Sequence, residues 1–155
     1  MSNDQENPDV EALAKNQIWF RVENNTAFEL VSESSFADWG DVSEPPSSGS
    51  GGHVVSSRSP FTGSAGMVGY SIVGGSETMY LRFLGSNPYL SAKPNYSTSA
   101  VLDRDAPIDQ PNYNWLYYRE EKDDSKPFEG GSLKVTSQIG QADEAIAIFT
   151  VNLIK

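Results

Sequence analysis

The chain has 155 residues, no cysteine, one histidine and a formal net charge of -10, from 21 acidic against 11 basic residues. That balance would repel a phosphate backbone, so nucleic acid and unspecific adhesion to anionic lipid are disfavoured as partners. The cysteine count excludes disulfides, thiolate metal sites and cysteine nucleophiles, one histidine excludes multi-histidine metal centres, and no cofactor is expected.

Residues 1–16, MSNDQENPDVEALAKN, are acidic and polar, without an apolar h-region, and read as a flexible tail before a single domain over 17–155. Synthesis in the cytoplasm without a recognisable signal peptide is the expectation. From Gln17 the pattern alternates, with Ile18, Phe20 and Val22 on one face and Trp19, Arg21 and Glu23 on the other, which predicts a half-buried strand. Asn24, Asn25 and Thr26 supply a turn, and Phe28 and Leu30 restart an alternating run, so a first hairpin is expected. WGDVSEPPSSGSGG, between Asp38 and Gly52, reads as a surface loop, because paired prolines and a Ser/Gly tract do not suit a central strand. A short strand over His53–Ser59 follows.

Val68, Tyr70 and Ile72 then alternate, and Gly74-Gly75 permits a tight hairpin into Glu77–Leu84, which would bury Met79, Leu81 and Phe83. From Gly85 to Pro111 four prolines interrupt the chain, leaving at most a short strand around Val101. Asn112–Arg119, Gly131–Ile139 and Ala142–Ile154 read as three further strands, with EEKDDSKPFEGG as a polar turn. In the last strand, Ile146 and Ile148 share one parity while Phe149, Val151 and Leu153 share the other, which implies either a bulge or coverage of both faces. With no sustained helical period, the sum is an all-β fold, an antiparallel β-sandwich of about eight to nine short strands.

Catalytic chemistry is sparse. His53 is the one base available to a nucleophilic triad, and no strained Gly-x-Ser-x-Gly element accompanies it. Acid pairs at Asp103/Asp105, Glu120/Glu121 and Asp123/Asp124 lie in polar segments that offer no apolar setting to shift a carboxyl pKa. LDRDAPIDQPNY lacks the ligand spacing of a calcium loop, and TGSAGMVG has no following lysine or helix to cradle phosphate. A non-enzymatic protein is expected; a hydrolase using Asp103, Asp105 or Glu120 is the weakest reading.

Aromatics remain. Trp39, Tyr89, Tyr96, Tyr113, Trp115, Tyr117 and Tyr118 sit in or beside loop-like sequence, and such rings gain by leaving water while a hydroxyl or indole N–H keeps a polar partner. These seven are the candidate ligand-binding residues, for membrane lipid or for sugar. Strand alternation over YNWLYY would place Tyr113, Trp115 and Tyr117 on one side and Leu116 and Tyr118 on the other.

FRVENNTAFELV at Phe20–Val31, WGDVSEPP from Trp39, SPFTGSAGMVGYSI at Ser59–Ile72 and LRFLGSNPYLSAKPNY from Leu81 occur in an order that resembles the aegerolysin family, with its bacterial insecticidal binary-toxin branch. The resemblance fades after Tyr96. It implies a small acidic β-sandwich that recognises membrane lipid, often a sphingolipid, outside the producing cell, together with a larger pore-forming protein partner. An acidic protein would need ring insertion and specific headgroup contacts, which favours a neutral or zwitterionic headgroup. A soluble carbohydrate-binding, lectin-like module is the alternative, since tyrosine and tryptophan beside Asp and Asn also stack on sugars.

Overall fold

The structure, a computed structural model, describes residues 16–47, 51–56, 63–89 and 93–155. The expected tail, residues 1–15, lies outside them, as does part of the Ser/Gly tract. Asn16, assigned to the tail on sequence, is buried, and its side-chain amide donates to Asn87 Oδ1 at 3.2 Å.

Among the described residues, ten strands form two facing sheets. They are β1 (Gln17–Asn24), β2 (Glu29–Trp39), β3 (Asp41–Val42), β4 (Gly51–Ser56), β5 (Ser64–Val73), β6 (Met79–Asn87), β7 (Tyr96–Leu102), β8 (Asp124–Phe128), β9 (Gly131–Ile139) and β10 (Glu144–Ile154), with one helix, α1 (Gln110–Tyr118). One sheet runs β3-β4-β1-β10-β9-β8 and the other β2-β5-β6-β7. The expected β-sandwich is therefore the fold. Its ladders are antiparallel except β1 with β10, which pair in parallel from Gln17↔Glu144 to Asn24↔Val151.

Period-two alternation decides which residues fill the space between the sheets. Ile18, Phe20 and Val22 of β1 meet Val68, Tyr70 and Ile72 of β5, Leu81 and Phe83 of β6, and Phe149 and Val151 of β10 in one core. Phe149 stacks on Phe83 across the gap, with centroids 4.8 Å apart and planes at 20°. Each such ring contributes roughly 1.5–3 kcal/mol by burial.

The four-stranded sheet is covered on its outer face as well. Met67 of β5, Leu84 of β6 and Ala100 of β7 point away from the main core and pack under Tyr113 and Leu116 of α1. Hence β5 is apolar or small on both faces, β6 sets Leu84 under the helix beside the buried Arg82, and α1 makes a third layer.

Several expectations are overturned. β1 and β2 do not form a hairpin: the Asn24 turn is present, with Thr26 N donating to Asn24 Oδ1 at 3.0 Å, but it carries the chain from one sheet to the other. β7 is a full strand although it is polar, because its buried hydroxyls are satisfied: Ser97 Oγ donates to Ser137 Oγ at 3.2 Å, Thr98 Oγ1 to Glu121 O, and Ser99 Oγ to Lys122 O at 2.6 Å. Part of the expected turn after Arg119 is the edge strand β8. In β10 neither a bulge nor a cover explains the two parities: Ala145, Ala147, Phe149 and Val151 face inward, and Ile146 faces out, 52% exposed.

Asn112–Arg119, read as a strand, is helical. Asp109 caps α1 by accepting from Asn112 N at 3.1 Å, and Pro111 sits in the first turn, where its missing N–H costs nothing.

Candidate functional site

At about 3.6 residues per turn, α1 sends its aromatics in three directions rather than two. Tyr113 and Leu116 point onto the four-stranded sheet and are buried. Tyr117 follows Tyr113 by one turn, and their rings stack with centroids 6.0 Å apart. Tyr117 also meets Tyr96 edge-on at 5.3 Å and Tyr118 edge-on at 4.9 Å, while Phe36 of β2 lies 5.9 Å from Tyr113. These contacts fix the ring orientations, since each ring has an aromatic neighbour at offset or edge-to-face geometry.

An open cleft of about 420 Å³ lies beside this row. The helix supplies Tyr113, Asn114, Tyr117 and Tyr118; the end of β2 supplies Asp38 and Trp39; and β5 and β6 bring Ser64, Ser86, Pro88 and Tyr89, with Lys93 beyond. Trp39, Tyr89 and Tyr118 form an exposed rim, 58%, 40% and 74% accessible, above a tyrosine floor.

Five of the seven candidate aromatics, Trp39, Tyr89, Tyr113, Tyr117 and Tyr118, thus line one cleft, and Tyr96 backs Tyr117 from behind. Tyr113, in or beside a loop by sequence, is 2% accessible and forms part of the cleft wall. Trp115, expected beside Tyr113 and Tyr117, lies on another side of the helix, with the Arg119 guanidinium 5.2 Å from its ring centre.

The polar residues of the cleft were missed on sequence. Ser64 Oγ is buried at the cleft and has no hydrogen-bond partner among the described residues, so it offers one group to a ligand. Asp38 and Lys93 set opposite charges at the opening. Burial raises the phenol pKa of Tyr113 and of Tyr96, so both remain neutral hydroxyls in the physiological range. Only the chain reversal that puts Asp38, Ser64 and Lys93 on one rim reveals them, and that reversal depends on long-range pairing.

The acids weighed for hydrolysis lie elsewhere. Asp105 is tied to Arg82 at 2.9 Å, Asp103 is exposed in a separate groove, and Glu120 is exposed with a left-handed φ of 60°. Among the described residues no group of three or more His, Cys, Asp or Glu could hold a metal ion. No helix among them is long and apolar enough to cross a membrane.

The fold and cleft define a β-sandwich with a helix laid over one sheet and an aromatic site at the junction. No family model matches the chain, and no curated protein matches it significantly in sequence. Solved structures do match. The crystal structure of the lipid binding protein Nakanori aligns with a TM-score of 0.66 and 13% identity, over 97% of this chain and 77% of that chain. The wild-type Xerocomus chrysenteron lectin XCL aligns with a TM-score of 0.54 and 10% identity, over 88% of this chain and 98% of that chain. At these identities the likeness establishes a shared fold.

Proposed function

We propose that this protein recognises membrane lipid through the aromatic cleft, taking up a zwitterionic headgroup. The observation that carries the reading is the joint presence of tyrosine faces, a carboxylate and an ammonium in one cleft. Ring faces and Asp38 attract a quaternary ammonium, Lys93 pairs with a phosphate, and Ser64 Oγ gives a further hydrogen bond. Trp39 and Tyr118, on the rim, suit the interfacial zone of a bilayer, where one end of the ring is apolar and the other wet. A fold shared with a lipid binding protein supports the same reading.

The resemblance to aegerolysins extends the proposal: a non-enzymatic docking component, released to act at target membranes, that prefers sphingolipid and recruits a larger pore-forming protein. Sugar binding is the second reading, favoured by the fold shared with the lectin XCL.

Vesicle sedimentation tests it. Binding to vesicles of phosphatidylcholine or sphingomyelin, lost on Tyr117→Ala and competed by free phosphocholine, is the expected result. Indifference to every vesicle composition, with capture by neutral glycans in its place, would establish the sugar reading instead.

A further inference from the structure

Across α1 from the aromatic cleft lies a second groove, of about 380 Å³. Residues 112 and 115 face it, nearly opposite 114 and 117 on the helical wheel. Trp115 is 47% exposed although the Arg119 guanidinium covers part of its ring. That guanidinium is itself held, donating to Ser99 O at 3.0 Å and lying 3.6 Å from Asp124 Oδ2. Trp115 is therefore a supported platform.

The groove is also unusual in charge. In a chain with 11 basic residues against 21 acidic ones, it gathers Arg104 and Lys126 with one acid, Asp103. Neither Arg104 nor Lys126 forms an ion pair among the described residues. Arg82, by contrast, is ion-paired with Glu33 and Asp105. Two cations without an ion pair among the described residues, lining one groove with an exposed indole in an acidic protein, have the chemistry of a site for an anion that carries a stackable ring.

We propose that this groove binds an acid-bearing saccharide, with the C–H face of the sugar on Trp115, its carboxylate or sulfate between Arg104 and Lys126, and its hydroxyls on Asp103 and Asn112. This site is separate from the zwitterionic headgroup cleft and does not depend on it. A sugar rather than a bare anion is indicated because the platform would go unused by phosphate, and an acidic sugar rather than a neutral one because only an anion uses both cations. The ligand reaches the groove either as a soluble glycan or as the headgroup of an acidic glycolipid.

Titration calorimetry of the full chain with 3′-sialyllactose, glucuronic acid and lactose is the test. The acidic sugars are expected to bind at least about tenfold tighter than lactose, with the preference shrinking in high salt. Arg104→Gln with Lys126→Gln should abolish the preference while leaving thermal unfolding unchanged, and Trp115→Ala should weaken acidic and neutral sugars alike. Vesicles of phosphatidylcholine with and without a sialylated glycolipid, assayed on the Tyr117→Ala variant, then separate the two sources: added retention points to the lipid-borne sugar, and binding of the free saccharide without it to the soluble one. Equal affinity for lactose and sialyllactose, or a preference that survives the double charge substitution, would overturn the assignment.

Discussion

Arg82 Nη2 donates to Asp105 Oδ1 at 2.9 Å and to Ala106 O at 2.6 Å, so a buried cation on β6 fastens the segment that leads into α1. Nη1 of the same side chain reaches Glu33 on β2 at 3.0 Å, which ties three elements to one guanidinium. Arg82→Met should therefore cost about 3 kcal/mol, because it leaves Glu33 half-buried without its partner and frees the helix lead-in. Thermal unfolding should show the loss as a drop on the order of 10 °C. Vesicle binding should weaken too, since α1 supplies the tyrosine wall.

Glu33 makes the fold sensitive to pH. Burial raises its pKa, against the pull of Arg82, so the folded chain keeps this proton to higher pH than the unfolded chain, whose value is near 4.5. Stability from this group is then greatest below that unfolded value and falls as pH rises through the raised folded value. Glu33→Gln should abolish the fall: the variant gains on the parent protein in urea unfolding as pH is taken from about 4 to about 7. A difference that stays flat over this window would refute the attribution to Glu33.

Gly63 borders the cleft where a side chain has no room. A Cβ there would stand 2.6 Å from Asn87 O and 2.8 Å from Tyr89 N, both backbone atoms that cannot step aside as a flexible side chain does. Gly63→Ala should cost about 1–3 kcal/mol and displace the Pro88–Tyr89 rim. Vesicle affinity is expected to fall more than the stability change alone would produce, measured well below the unfolding temperature.

Rim and wall residues should separate in their effects. Trp39→Ala and Tyr118→Ala remove exposed rings, so vesicle affinity should drop about tenfold for each while unfolding is nearly unchanged. Tyr113→Ala, which empties a buried site under the helix, should cost about 3–5 kcal/mol and lower affinity through loss of structure. Urea midpoints and vesicle sedimentation on the same samples tell the two kinds of residue apart.

Much of the sandwich was legible because alternation is local. Ile18, Phe20 and Val22, or Met79, Leu81 and Phe83, announce a buried face without reference to the rest of the chain. What stayed hidden is pairing. Asn24–Thr26 is a turn in sequence and in structure, yet only the ladder of β1 with β10, more than a hundred residues apart, sends β2 to the other sheet. The full length of β7 was not legible, beyond a short strand around Val101, because Ser97, Thr98 and Ser99 look exposed until their partners on β9 and at Glu121 and Lys122 are known.

The helix had a signal that aromatic content outweighed. YNWLYY favours strands by composition, whereas Asp109 followed by Pro111 is a cap and first-turn pattern. Reading that pattern would have separated Trp115 from Tyr113 and Tyr117. It would not have supplied Asp38, Ser64 or Lys93, which come to the cleft from distant parts of the chain.

The parallel alignment of β1 with β10 has a practical result for handling the protein. Gln17 enters beside Asp143, at the same pole as Asn87, Tyr89 and Lys93, while Ile154 and Lys155 leave at the far pole beside Gly131. A fusion or surface linkage placed after Lys155 would hold the molecule with its cleft turned toward solution.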